Sequence, residues 1–269
     1  MTKLRTSRIK RLLKDNKFPL LIKSNLTDPR VTELAGVCGF DAMWLCNEHV
    51  PTDWMTLENT IRAARIHDMD TLVRVSKGGY SDYVRPLEAG ATGIIVPHVE
   101  SAEEAAKIVS WTRFYPIGKR PLDGGCTDGY YCAVPQDEYL ANSNTEKIVV
   151  LQIESPEALE QVEKIAAVPG FDGLLFGPGD FSHRIGKAGQ LTDPVVTAAR
   201  QRVAKAAREN GKFAVTSGIF VPFEQLVSEG VNVFNVGSDV GGLREYFMSR
   251  LETVGGSVST LPKNTSPYV

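Results

Sequence analysis

The sequence predicts a (β/α)8 barrel with a helix capping its N-terminal end. Three observations carry this. From Phe18 onward apolar strand-like runs alternate strictly with amphipathic helical stretches; eight such runs can be counted; and they fill a span of about 250 residues, the size of one such barrel. Strict alternation implies a parallel sheet with right-handed crossovers. An open doubly wound sheet is the competing arrangement, but the chain carries neither a strand–GxGxxG–helix fingerprint nor a GxxxxGK[ST] loop.

The strands are expected at 19–24 (PLLIKS), 41–47 (DAMWLCN), 70–75 (DTLVRV), 93–99 (GIIVPHV), 147–154 (KIVVLQIE), 173–178 (GLLFGP), 212–218 (KFAVTSG) and 232–238 (NVFNVGS). Of the helical stretches between them, 101–114 opens with Ser101 and Glu104, the spacing of a capping box. Similar stretches lie at 53–66, 156–167, 194–209 and 223–229. A basic amphipathic segment at 7–15 is expected to close the barrel bottom, and the terminal GGSVSTLPKNTSPYV reads as a loose tail. This gives one barrel domain over 1–251 and a tail over 252–269. The stretch 119–146, irregular and containing Gly and Tyr, is out of proportion for a connection and is expected to border the active-site mouth.

Composition narrows the function classes. With 42% hydrophobic and 23% charged residues the chain can bury a substantial core, and a net charge of −2 leaves no basic footprint for nucleic acid or anionic membrane. Small molecules and other proteins remain as partners. No window approaches 18 apolar residues and MTKLRTSRIKRLLKDNK lacks a signal-peptide apolar region, so a soluble cytoplasmic protein is expected. Cys38, Cys46, Cys126 and Cys132 form no CxxC pair and read as reduced thiols.

Barrel chemistry sits at the C-terminal strand ends, so polar residues that close apolar runs are the candidates. Glu154 ends VVLQIE, and Asp180 follows the GPG turn after strand six. Adjacent strands lie roughly 4.8 Å apart, so both carboxylates can face one point, where a divalent cation such as Mg²⁺ or Mn²⁺ would suit two oxygen ligands. Equally, both carboxylates can simply favour helix N-termini, Ser155-Pro156 being a cap and first-turn proline and Asp180 a cap for a short helix. Arg74 ends strand three, where a guanidinium can hold a carboxylate and stabilise an oxyanion, or pair structurally with Glu48 or Asp70. His49 follows strand two as a candidate base, and the GPG turn allows close backbone approach to an anion.

Taken together, WLCNEHVP, TLVRV, PLEAGATGIIVPHVESAEEA, YPIGKRP, LQIES and GLLFGPGDFS resemble the HpcH/HpaI family of class II, metal-dependent pyruvate aldolases, from about Leu20 to Leu251. The resemblance implies cleavage of a 4-hydroxy-2-oxo acid to pyruvate and an aldehyde. It implies Glu154 and Asp180 as ligands of Mg²⁺ or Mn²⁺, with Co²⁺ a third choice. Gly179 and Asp180 N–H groups would hold the pyruvate carboxylate, Arg74 would stabilise the enolate, and His49 would handle the proton. Glu88 would support the histidine across a subunit interface in a homo-oligomer, a hexamer in this family. The family commonly reads D-G-E-H where this chain has C-N-E-H, so Cys46 replaces an anionic partner of His49; a neutral thiol is expected to leave His49 a poorer base. Pro121 after Arg120 stands where Gly is usual and is expected to reshape the mouth. A decarboxylase of an oxaloacetate-like acid and a non-catalytic metal and oxo-acid binder are the alternatives, with Schiff-base chemistry at Lys23 a further rival.

Overall fold

A computed structural model describes residues 4–253. The elements in chain order are α1 (Arg8–Lys14), β1 (Leu20–Ser24), α2 (Pro29–Val37), β2 (Ala42–Cys46), α3 (Trp54–Ile66), β3 (Asp70–Arg74), α4 (Tyr80–Glu88), β4 (Gly93–Val96) and α5 (Ala102–Thr112). A short 3₁₀ segment (Thr127–Cys132) follows, then α6 (Gln136–Glu146), β5 (Ile148–Ile153), α7 (Pro156–Glu160), α8 (Val162–Ala167), β6 (Gly173–Phe176) and α9 (Pro178–Arg184). The last described elements are α10 (Pro194–Glu209), β7 (Phe213–Thr216), α11 (Phe223–Ser228), β8 (Val233–Ser238) and α12 (Asp239–Thr253). The strands close into one ring in sequence order, every neighbouring pair parallel, β8 returning to β1. The doubly wound alternative is thereby excluded.

Two apolar layers result from the period-two alternation of the strands. One face of the sheet, with Met43, Val73, Ile94, Val149, Leu151 and Leu174, packs against the helices. The other, with Leu21, Trp44, Leu72, Ile95, Val150 and Leu175, fills the barrel interior. Ile9 of α1, fully buried, plugs that interior from below. The basic character of α1 is explained by what it meets: Arg5 just before it, Arg8 and Lys10 lie 2.7, 2.7 and 2.8 Å from Asp70, Asp41 and Asp172, at the N-terminal ends of β3, β2 and β6. Ser7 caps the helix by accepting from the Lys10 N–H, and its hydroxyl donates to Asp70.

Several expectations need correction. The segment 156–167 is two helices, because Gln161 leaves the helical region (φ −102°, ψ 2°) and the chain re-enters a helix at Val162. The long stretch 119–146 is less irregular than its composition suggests, since α6 occupies its second half. Nor does it border the mouth of its own barrel: it runs from the end of a helix to the start of a strand, which places it at the N-terminal end. There Arg120 and Asp128 form a fully buried ion pair at 2.7 Å, Tyr139 donates to the same carboxylate, and Tyr130 accepts from the Arg5 N–H. Pro121 accordingly lies away from this chain's own mouth. α12 continues two residues past the domain end expected at 251; 254–269, most of the expected tail, lie outside the described residues.

Candidate active site

The strand period that fills the interior also aims the site. Counting in twos from apolar interior positions leads from Leu21 to Lys23, from Trp44 to Cys46, from Leu72 to Arg74, and from Val150 through Gln152 to Glu154. Each series turns polar at its C-terminal end, where the barrel opens. A cavity of about 220 Å³ lies there, bordered by Lys23, His49, Arg74, Gln152, Gly179 and Asp180.

Arg74 is held from three sides. Its Nε lies 2.9 Å from Glu48 Oε2, its Nη2 donates to Cys46 Sγ at 3.1 Å, and its guanidinium stands 5.2 Å from the centre of the Trp44 ring. The structural pairing with Glu48 and the aim into the cavity therefore coexist in one residue. Cys46 sits inside this arrangement as an acceptor. Burial opposes its ionisation, but the Arg74 charge, the His49 backbone N–H, the Arg74 hydrogen bond and the Lys23 charge outweigh burial and hold the thiol below its ordinary value.

Glu154 follows β5 and is 2% exposed. It accepts the His98 backbone N–H at 2.7 Å, and the Gln152 side-chain amide donates to its other oxygen. Burial pushes its carboxyl up to about 6; the His98 interactions oppose the rise, while the charges of Asp180 and Glu48 add to it. The turn above it requires a glycine, since a Cβ on Gly177 would come within 2.7 Å of the Glu154 side chain. Asp180 stands in the first turn of α9, exposed, with no hydrogen bond or ion pair to other described residues. Gly179 and Asp180 carry N–H groups in that same first turn, where an α-helix leaves its donors unpaired. Asp180 is not the cap of α9, a position held by Gly177. Ser155 does cap α7, accepting from the Ala158 N–H, so one of the two helix-terminus readings holds for the residue beside Glu154.

His98, just past β4, also belongs here. Its backbone is left-handed (φ 52°), its Nδ1 lies 3.0 Å from Glu154 Oε1 and its Nε2 3.3 Å from Glu48 Oε1. His49 borders the cavity with 60% of its side chain exposed, 3.5 Å from Glu48. Glu88 is elsewhere: it ends α4, five residues before β4 begins, at the barrel's N-terminal end. Burial raises its pKa, and its charged neighbours are Arg120, Asp128 and Asp123. Within one chain it does not meet His49.

The donor chemistry fits a hard divalent cation. Glu48 Oε2, Gln152 Oε1 and His98 Nδ1 are buried without an aligned hydrogen-bond partner around a carboxylate that burial keeps from ionising easily. Among the described residues no group of three or more His, Cys, Asp or Glu side chains converges as a closed cage. Two carboxylates and an open cavity leave coordination positions to water and substrate, as Mg²⁺ and Mn²⁺ prefer.

The family model for HpcH/HpaI aldolase/citrate lyase matches residues 21–245. The chain belongs to this family. It is 35% identical over 223 residues to the 5-keto-4-deoxy-D-glucarate aldolase of Klebsiella pneumoniae, covering 81% of this chain and 85% of that one. An HpcH/HpaI aldolase from Desulfitobacterium hafniense superposes with a TM-score of 0.86 at 25% identity, over 94% of this chain and 99% of that one. The citrate synthase SbnG superposes with a TM-score of 0.83 at 28% identity, over 92% and 97% of the two chains. This HpcH/HpaI member is thus an enzyme of the aldolase type, a carbon–carbon lyase acting on a hydroxy-oxo acid. No helix among its described residues is long and apolar enough to cross a membrane.

Proposed function

We propose that the chain reversibly cleaves a 4-hydroxy-2-oxo acid to pyruvate and an aldehyde through a pyruvate enolate, with a divalent cation, Mg²⁺ or Mn²⁺, held by Glu154 and Asp180. The observation that carries this is the buried Glu154 carboxyl, raised to about 6 beside Asp180 and ringed by polar atoms without aligned partners. A cation bound there supplies Lewis acidity that makes the C3 protons of the oxo acid removable. Gly179 and Asp180 present N–H groups to the substrate carboxylate. Arg74, its orientation fixed by Glu48, Cys46 and Trp44, donates to the keto oxygen and stabilises negative charge as it develops. Gln152, which borders the cavity, and the His98 N–H fix the orientation of the Glu154 carboxylate. His49, at the cavity rim, moves the proton, and Glu88 of a neighbouring copy supports it in a homo-oligomer, a hexamer, of cytoplasmic location. Apolar Tyr246, Phe247 and Leu251, left exposed on α12, support association.

The test is deuterium incorporation at pyruvate C3 with Mn²⁺, with EDTA, and in a Glu154→Ala variant. Exchange that needs both metal and Glu154 is expected; exchange indifferent to either contradicts the reading. Decarboxylation of an oxaloacetate-like acid is the second reading, favoured by the exposed His49, because loss of CO₂ itself makes the enolate and needs no base. Rapid CO₂ release from oxaloacetate without pyruvate exchange would select it.

A further inference from the structure

The imidazole of His98 meets Glu154 at contact distance without bonding to it. Its Nδ1 lies 3.0 Å from Glu154 Oε1, yet it is a buried atom with no aligned hydrogen bond. The same oxygen accepts the His98 backbone N–H at 2.7 Å. Backbone and ring of one residue thus converge on one carboxylate oxygen, from a backbone in the left-handed region (φ 52°) that few non-glycine residues adopt. The turn is tied down on both sides: Lys77 Nζ donates to the His98 carbonyl at 2.5 Å while pairing with Glu104 at 3.0 Å, and the Val99 N–H donates to the Gln152 carbonyl at 3.2 Å. At the other ring nitrogen, Nε2 stands 3.3 Å from Glu48 Oε1. A proton on Nε2, facing that carboxylate, leaves Nδ1 as a lone-pair donor beside Glu154.

A shared cation accounts for such a nitrogen. Two neighbouring donors on an octahedral ion, each about 2.1 Å from it, are about 3.0 Å apart, and that is the separation of Nδ1 and Oε1. Histidine ligands ordinarily offer their other N–H to a carboxylate, and Glu48 supplies one. We propose that His98 Nδ1 is a direct ligand of the divalent cation, a third donor beside Glu154 and Asp180. This rests on the reading of those two carboxylates as a cation site and adds to it. Among the described residues Asp180 does not join the other two in a closed cage, and no hydrogen bond or ion pair holds its side chain, so it is free to turn onto an ion that Glu154 and His98 share. A nitrogen donor also changes which ion the site prefers. Imidazole raises affinity for Co²⁺ relative to Mg²⁺, which keeps to oxygen.

The test is electron spin-echo envelope modulation of the Mn²⁺-loaded protein, with unlabelled histidine and with ¹⁵N-histidine, in wild type and His98→Asn. Asparagine keeps the backbone N–H, tolerates a left-handed backbone and puts an amide oxygen at the position of the ring nitrogen. Wild type is expected to show a nitrogen coupling that changes with the histidine label, and His98→Asn to lose it. In the same two proteins the ratio of Co²⁺ to Mg²⁺ affinity, read by calorimetry, should be about tenfold or more lower in the variant. Mn²⁺ bound to wild type with no histidine coupling overturns the proposal, a result that needs no variant to fold. A coupling that survives in His98→Asn overturns it too, as does an unchanged selectivity. Failure of wild type to bind Mn²⁺ at all overturns the underlying reading of the two carboxylates instead.

Discussion

The two ends of the barrel are both rich in charge and use it in opposite ways. At the N-terminal end Asp41, Asp70 and Asp172 each meet a cation from the α1 region at 2.7 to 2.8 Å, and Arg120 and Asp128 pair out of reach of solvent. At the C-terminal end the Asp180 and Lys23 side chains make no hydrogen bond or ion pair among the described residues, Glu154 is kept from ionising easily, and Glu48, Gln152 and His98 carry buried atoms without aligned hydrogen bonds. The lesson is that charge satisfied within the chain fixes the fold, whereas charge left unsatisfied marks where something from outside completes the structure.

The sharpest way to break this comparison is at the satisfied end. Asp70 is fully buried and accepts from the Ser7 hydroxyl, the Ile9 N–H and the Thr92 hydroxyl while pairing with Arg5. Asp70→Asn should cost about 3–5 kcal/mol in urea unfolding, with activity per folded molecule unchanged. At the unsatisfied end the same kind of change should do the reverse. Asp180→Asn, at an exposed carboxylate with no ion pair, should lower kcat/KM about 10²-fold with a much smaller change in stability, read from steady-state kinetics and urea unfolding together. A large stability loss there with activity retained would erase the distinction.

A smaller effect sharpens it through pH. The Glu154 carboxyl, raised from 4.5 to about 6, binds its proton more tightly in the folded protein than in the unfolded one. Its contribution is therefore favourable below about 4.5 and is lost as pH rises through about 6, leaving the metal-free protein about 2 kcal/mol less stable from this group at neutral pH. Thermal unfolding in EDTA should show that loss in wild type and not in Glu154→Gln. For the same reason metal affinity should weaken as pH falls below about 6, since the proton competes with the cation. The smallest effect is expected at Cys46: Cys46→Ala removes one of three contacts that orient Arg74 and should lower kcat only a few-fold, about 1 kcal/mol.

How much of this was legible in the sequence follows from the range of the forces involved. The eight strands were legible because alternation and β-branched runs are local, and so was the placement of Glu154, Arg74 and Asp180 at the C-terminal end of the barrel, because each stands at or just past the end of such a run. The capping role of 7–15 was legible from its charge, though its partners, the aspartates that open or precede β2, β3 and β6, were not, since they are gathered only by closure of the ring. His98 was missed because its approach to Glu154 depends on a left-handed backbone that a non-glycine residue seldom adopts. Gln152 was available in principle, by counting in twos from Val150. The placement of 119–146 went wrong because loop length argued for function while chain direction, from helix to strand, decides which end of a barrel a connection occupies. The contact of Cys46 with Arg74, twenty-eight residues away, was not legible because it forms only when β2 and β3 pair.

The central claim is that the unsatisfied carboxylates of the mouth form a divalent-cation site. It is tested most directly by titrating metal-free protein with Mn²⁺ under electron paramagnetic resonance, in wild type, Glu154→Ala and Asp180→Ala, at pH 7.5 with circular dichroism confirming the fold of each. The account predicts one Mn²⁺ per chain in wild type and loss of that binding in both variants. Mn²⁺ bound with unchanged affinity in Glu154→Ala would contradict it.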